Sequence, residues 1–347
     1  MDDADLIARL VSIYSPSGQE VEAVSYLVDW MSGHGFAASV DAAGNAVGVR
    51  GAADAPHTLL LLGHIDTVPG EIPVRVEDSC LYGRGSVDAK GSLCAFAEAT
   101  ARATIPPGWR VMVIGAVDEE ADSRGAYYVR EQLQPTWCLI GEPSGAARIT
   151  LGYKGHMRVH YRLTRPLAHS ALPQPSVAEL GVRLWQGLGA WAEGHNQGKE
   201  RLFEQIALHL AAINTHSDGF RETLAMEINL RLPPGVLPDE ARAALADLAE
   251  ADAIWETSSA EPAYLAPKGT PLVRALLAAI RAQGEQPGFV LKSGTSDMNV
   301  VGEVWTCPIV AYGPGNSSLD HTPHEHLSLA EYWQAVRTLQ HLIEHLP

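Results

Sequence analysis

The sequence predicts an α/β protein whose larger domain is interrupted by a smaller α+β insertion. Three observations carry this. Strand-like apolar runs and helical apolar spacing alternate from Asp5 to Ile140, the pattern of helices laid on a buried sheet. From Tyr153 to Leu163 the pattern becomes period two. Tyr153, Met157, Val159, Tyr161 and Leu163 fall on one face, and Lys154, His156, Arg158, His160 and Arg162 on the other, as in an antiparallel sheet with one wet face. After Ala260-Glu261-Pro262 the α/β texture returns. A chain of 347 residues is long enough for about two cores. The simplest division is a discontinuous domain of residues 1–152 and 259–347, with 153–258 inserted.

Taken in order, Asp5 to Ile13 and Glu20 to Met31 carry helical spacing, and Ser15-Pro16-Ser17-Gly18 breaks them apart. Ala46 to Val49 and Thr58 to Leu62 read as strands, the second apolar enough for the middle of a sheet. A helix of small residues follows from Asp88 to Thr104, then a strand from Arg110 to Val117. A short helix from Ser123 to Gln132 leads to a buried strand from Trp137 to Ile140. The insertion adds a helix from Ser176 to Trp191, a strand from Leu224 to Leu232 and a helix from Pro238 to Leu248. The return supplies a helix from Pro271 to Gln283, strands at Phe289 to Lys292 and Pro308 to Tyr312, and a closing helix from Leu329 to Leu346.

Composition narrows the function classes. With 46% hydrophobic and 19% charged residues the chain is globular rather than disordered. A net charge of -16 leaves no basic surplus to displace counterions, which argues against a nucleic-acid partner. The acidic start Met1-Asp2-Asp3-Ala4-Asp5 is not a secretory leader, and no apolar run is long enough for a membrane span. Cys80, Cys94, Cys138 and Cys307 show no paired spacing. They read as thiols in a reducing compartment, so a cytoplasmic protein is expected.

Five polar blocks stand where apolar runs end: His64-Ile65-Asp66, Asp88 in Gly85-Ser86-Val87-Asp88, Glu119-Glu120, Glu142 in Gly141-Glu142-Pro143, and His321 in Leu319-Asp320-His321-Thr322-Pro323. Each has an ordinary explanation taken singly. His64 and Asp66 could be a solvated loop pair, Asp88 a helix N-cap, and Glu119-Glu120 an acidic turn. The glycines before Asp88 mimic a phosphate loop, but Lys90-Gly91-Ser92 lacks its residue order. Taken jointly, two histidines, an aspartate and two glutamates at strand ends form a ligand set for two divalent metals sharing a carboxylate. Asp66 is placed to hold the second ring nitrogen of His64. Of adjacent glutamates on a turn, one can bind metal while the other serves as general base toward water. His324 and His326 share the loop of His321, so residue type alone leaves the last ligand open among the three.

From about Ser15 to Glu325 these blocks resemble the dinuclear zinc amidohydrolases that include acetylornithine deacetylase, succinyl-diaminopimelate desuccinylase and the glutamate carboxypeptidases. The resemblance implies a zinc-exopeptidase-like catalytic domain and an inserted ferredoxin-like lid that often mediates homodimerisation. It implies two divalent ions, zinc foremost and cobalt as a substitute. His64, Asp88 and Glu142 would hold the first, and Asp88, Glu120 and His321 the second. His321 is selected because the family's last ligand stands before a glutamate, here Glu325. Glu119 corresponds to the general base, Asp66 to the acid that orients the histidine, and His169 to a lid histidine that stabilises the oxyanion. The bond after the bridging aspartate is usually cis in the family. Ala121-Asp122-Ser123 departs from a loop that is commonly glycine-rich in relatives.

On the substrate side, Lys154, Asn214 and Arg231 match lid positions that meet substrate, and Gly294-Thr295-Ser296 matches a loop that holds a substrate carboxylate. Gly152-Tyr153-Lys154-Gly155, Lys292-Ser293-Gly294-Thr295-Ser296-Asp297 and Tyr312-Gly313-Pro314-Gly315 most resemble one branch of the family. Its members release lysine, and sometimes ornithine, from an acidic amino-group carrier protein, LysW, whose C-terminal glutamate side chain protects the amine. Hydrolysis of that amide is the expected function, and the basic row from Lys154 to Arg162 is the expected docking face for the carrier. A deacylase of free acetyl-ornithine, acetyl-lysine or succinyl amino acids is the alternative within the family. A metal-binding, carrier-docking module without turnover is the alternative outside it, disfavoured because a binder needs neither Glu119 nor His169.

Overall fold

The computed structural model describes residues 4–169 and 171–347. Ser170, beside His169, and the acidic start at residues 1–3 lie outside them. In chain order the first elements are α1 (Asp5–Ser12), α2 (Val21–Gly33), β1 (Ala37–Val40), β2 (Ala46–Gly51), β3 (His57–His64), β4 (Arg75–Glu77) and β5 (Cys80–Tyr82). They continue with α3 (Lys90–Arg102), β6 (Trp109–Ala116), α4 (Arg124–Gln132), β7 (Trp137–Gly141) and β8 (Arg148–Tyr153). Next come β9 (Gly155–Pro166), α5 (Val177–Asn196), β10 (Ala207–Ser217), β11 (Arg221–Leu232), α6 (Pro238–Leu248), β12 (Ile254–Glu261) and β13 (Tyr264–Leu265). The last are α7 (Pro271–Ala282), β14 (Gly288–Lys292), α8 (Asp297–Gly302), β15 (Ile309–Ala311), β16 (His326–Ser328) and α9 (Leu329–Glu344).

The chain forms two units. The first comprises residues 1–152, 266–291 and 296–347, the second 153–265 with 292–295. The inserted segment thus runs to 265 rather than 258, because β12 continues the insertion's sheet to Glu261.

In the first unit the sheet runs β1-β2-β6-β3-β7-β15-β8. β6, β3, β7 and β15 are parallel, as continuous apolar runs require when both faces are covered. Leu59 to Leu62 are wholly buried. α3 is buried nearly all round from Lys90 to Thr100, which is why its sequence is small residues rather than a one-sided stripe. Gly141 ends β7 where a Cβ would come within 2.8 Å of Phe96 Cε2 and 3.1 Å of the Gly63 Cα. Only glycine therefore lets β7 lie this close to β3 and α3, immediately before Glu142.

The second unit has the element order β9-α5-β10-β11-α6-β12 and the strand order β10-β11-β9-β12. That is the ferredoxin-like arrangement. Met157, Val159, Tyr161 and Leu163 pack with Leu224, Met226, Ile228 and Leu230 beneath Leu180, Leu184, Leu188 and Leu245. The predicted apolar face of β9 is the core face.

The opposite face departs from the predicted basic row. Lys154 and His156 are buried. The Lys154 amide donates to the Lys292 carbonyl at 3.3 Å and its Nζ to the Leu202 carbonyl at 3.2 Å. His160 is flanked by Glu227 on β11 and Glu256 on β12, and Arg158 Nε lies 3.7 Å from Glu227 Oε1. Sheet register sets acids against the bases, so this face carries both signs.

Burial, with Arg231 and Arg158 nearby, holds His156 down to about 4 against an ordinary 6.5, opposed by a hydrogen bond with Asn229. The unfolded chain then takes up this proton first as pH falls. The contribution of neutral His156 is complete above about 6.5 and is lost between there and about 4. His156→Gln is expected to flatten the fall in urea stability between neutral and acid pH by up to about 3 kcal/mol. A wild-type slope in the variant would contradict this.

No described helix is long and apolar enough to cross a membrane. The four cysteines are free thiols.

Candidate metal centre

The centre lies in the first unit, at the carboxyl ends of its parallel strands, the usual position of a site in an open α/β sheet. His64 is the last residue of β3, Glu119 and Glu120 follow β6, and Glu142 follows β7. Asp88 precedes α3 without capping it, since the N-cap is Ala89 and makes no side-chain cap bond. The Asp88 carboxylate is therefore not used by the helix. The Asp88–Ala89 peptide is cis.

The two oxygens of Asp88 face different histidines. Oδ1 is 3.2 Å from His64 Nε2 and Oδ2 is 3.0 Å from His321 Nε2. His321 Nε2 is also 3.1 Å from Glu120 Oε1, and His64 Nε2 is 3.9 Å from Glu142 Oε1. Ligand atoms of His64, Asp88 and Glu120 all lie within 4.8 Å of one another. His321 is in the left-handed backbone region, with φ 60°. His326 is engaged elsewhere: its Nδ1 is 2.7 Å from the His324 carbonyl, and its ring stacks on Tyr82 at 4.8 Å. Geometry thus places His321 at Asp88 and Glu120.

The electrostatics suit a cation. Burial raises the Glu119 carboxyl well above its ordinary range, with His64 opposing and Glu142, Asp297 and Glu120 adding to the rise. Glu142 and Glu120 are raised likewise, by burial and then by Asp88. Burial also raises Asp88, but His321 and His64 outweigh it and hold that carboxyl well below its usual range. Asp88 and Glu120 push His321 up to about 10. Raised acids beside a raised base mark a surplus of negative charge that a divalent ion would neutralise. Imidazole nitrogen and carboxylate oxygen are donors that zinc and its neighbours accept. The residues present fit such an ion.

Asp66 meets His64, and its carboxylate has a second task that the sequence did not predict. His64 Nδ1 is 3.0 Å from the Asp66 backbone carbonyl and 3.5 Å from its carboxylate. The carboxylate also accepts the amides of Glu119 at 3.1 Å and Glu120 at 3.0 Å, with the Ser17 hydroxyl at 2.7 Å. One buried aspartate thus holds the turn on which the two glutamates diverge. This was not legible from spacing, because the pair is remote in sequence. In the same turn Asp118 and Ser123 take φ of 71° and 51°. Non-glycine residues here adopt left-handed conformations that glycine would reach more easily.

The remaining named residues divide between the units. His169 is exposed in the second unit, its Nδ1 accepting the Ala171 amide at 3.2 Å. Asn214 is exposed on β10. Arg231 Nη1 donates to the Thr295 hydroxyl, and both belong to the second unit with Lys154 and Gly294. Ser296, in the first unit, caps α8 through its hydroxyl, which accepts the Met298 amide at 3.2 Å.

The model of peptidase family M20/M25/M40 matches residues 60–345. A protein of Deinococcus radiodurans named LysW-lysine hydrolase is 46% identical over 345 residues, 96% of this chain and 94% of that protein. One of Sulfurisphaera tokodaii, named LysW-lysine/LysW-ornithine hydrolase, is 30% identical over 99% of this chain and 95% of its own. Among solved structures, an M20 family metallo-carboxypeptidase from Sulfolobus solfataricus superposes with a TM-score of 0.78 at 17% identity, covering 99% of both chains. An aminopeptidase PepT from Bacillus cereus gives 0.77 at 17% identity, over 98% of this chain and 96% of that one. These two speak for the fold. The family match across most of the chain, together with a cluster of His64, Asp88 and Glu120 that could hold a metal ion, makes this protein a hydrolase of peptidase family M20/M25/M40.

Proposed function

We propose that this protein hydrolyses the amide joining the α-amino group of lysine, and in a second capacity ornithine, to the C-terminal glutamate of a LysW-type amino-group carrier protein. The observation that carries the reaction is Asp88, whose two oxygens address two different histidines. That is the arrangement of a carboxylate bridging two ions. The names of relatives up to 46% identical over nearly the full length support the substrate.

In this reading His64, Asp88 and Glu142 would hold one ion and Asp88, Glu120 and His321 the other, with zinc foremost and cobalt the substitute. The ions, when bound, would supply Lewis acidity toward the amide carbonyl and make water easier to deprotonate. Glu119 takes a proton from the attacking water and returns it to the leaving α-amine, the work of a positioned general base. Asp66 orients the turn bearing that base and abuts His64. His169 is assigned the oxyanion, and Lys154, Asn214, Arg231, Gly294, Thr295 and Ser296 the substrate. A homodimer through the second unit and a cytoplasmic location complete the reading.

The test compares rates on lysyl-carrier, acetyl-lysine and acetyl-ornithine, before and after a chelator. Lysyl-carrier is expected to exceed the free acyl amino acids in kcat/KM by at least about 10²-fold, because contacts remote from the scissile bond lower the barrier. Chelation should abolish all three activities. Equal or better rates on acetyl-ornithine would establish the free deacylase instead.

A further inference from the structure

The Asp88 loop and the His321 loop come from opposite ends of the first unit's sequence, and one buried ion pair joins them. Glu325 is fully buried. Its Oε1 accepts the backbone amides of Val87 at 2.9 Å and Asp88 at 3.1 Å, and its Oε2 accepts Arg84 Nη1 at 2.8 Å. Arg84 works in the reverse direction: Nη1 also donates to the Thr322 carbonyl at 3.2 Å, and Nε to the Gly70 carbonyl at 3.0 Å. The acid of the His321 segment thus holds the backbone of Asp88, while the base of the Asp88 segment holds the backbone beside His321. Below this clasp, His326–Ser328 pairs with Cys80–Tyr82, so the strands align the loops and the ion pair sets their final approach.

A buried ion pair is a poor device for stability alone, because apolar residues of like volume commonly do as well or better. A carboxylate taking two adjacent amides and a guanidinium is instead a geometric constraint. Sites of this kind tolerate displacements of only about 0.5 Å. We propose that Glu325 and Arg84 are positioning residues, a clasp that fixes the two oxygens of Asp88 between His64 and His321 and so sets metal affinity. The inference rests on the dinuclear reading above.

The experiment separates position from stability by comparing Glu325→Gln with Glu325→Ala in the full chain. Both lose the negative charge opposite Arg84, so both should unfold at lower urea concentration. The Gln side chain can still accept the Val87 and Asp88 amides, whereas Ala cannot. Zinc affinity is read by competition with a chromophoric chelator, and site geometry by the visible spectrum of the cobalt-loaded protein. Glu325→Ala is expected to bind its weaker ion about 10- to 100-fold less tightly with an altered cobalt spectrum, and Glu325→Gln to stay within about threefold of wild type. Equal affinities in the two variants, or wild-type affinity and spectrum in Glu325→Ala, would overturn the clasp. If stranding Arg84 prevents folding, the same comparison is made with Arg84→Met in both variants. A wild-type protein that binds a single ion would refute the dinuclear reading, and the clasp would then be judged on the affinity of that ion.

Discussion

Asp88→Ala is expected to deplete both metal positions at once. Its oxygens lie 3.2 Å from His64 and 3.0 Å from His321, so removing one side chain strips a donor from each half of the centre. The remaining carboxylates, already raised by burial and by one another, do not replace a bridge between the two. Affinity for both ions should fall by more than about 100-fold, beyond the loss typical of an outer-shell partner. His321→Ala, which removes a donor from one side only, should weaken one ion and spare the other. Elemental analysis after gel filtration checks both variants. A single ion retained at full affinity in Asp88→Ala would show that Asp88 does not bridge.

The second large effect separates two neighbours. Glu119→Gln should retain its metals and lose turnover by about 10²- to 10⁴-fold, the range for a positioned general base. Glu120→Gln should lose metal affinity as well, because Glu120 Oε1 stands 3.1 Å from His321. The comparison is clean for a local reason. Both backbone amides are held by Asp66 at 3.1 and 3.0 Å, so neither isosteric change disturbs the turn. Activity surviving in Glu119→Gln at more than about a tenth of wild type would assign the base elsewhere.

The charge pattern on the second unit alters how a carrier is expected to dock. Period-two spacing on β9 put five basic side chains in a row, but Lys154 and His156 are covered, and the register brings Glu227 and Glu256 beside His160. An acidic partner would meet a mixed surface there, whose bases attract it and whose acids repel it.

Much of the fold was legible because buried strands and helices advertise themselves by apolar pattern. β3, β6 and β7 are continuous apolar runs, and the inner face of β9 alternates without a break. The strands that pattern missed are β1, β8, β10, β12, β13 and the short β4, β5 and β16. Apart from β8, which lies buried between β15 and β13, they are at sheet edges or in a small sheet of their own, where half-exposed residues need not be apolar and the backbone ladder alone defines the strand.

For the site, sequence by itself determined which residue types stand at strand ends: two histidines, an aspartate and paired glutamates, each where an apolar run stops. The parallel strands β3, β6 and β7 deliver His64, Glu119–Glu120 and Glu142 to one edge of the sheet, whereas Asp88 and His321 reach it on loops. Tertiary structure alone decided the rest. It selected His321 from three histidines, freed Asp88 from helix capping, turned the Asp66 carboxylate toward the glutamate turn, and joined Glu325 to the amides of Val87 and Asp88. Each of these depends on contacts between loops remote in sequence, where angstrom-scale packing rather than local pattern determines which donor meets which acceptor.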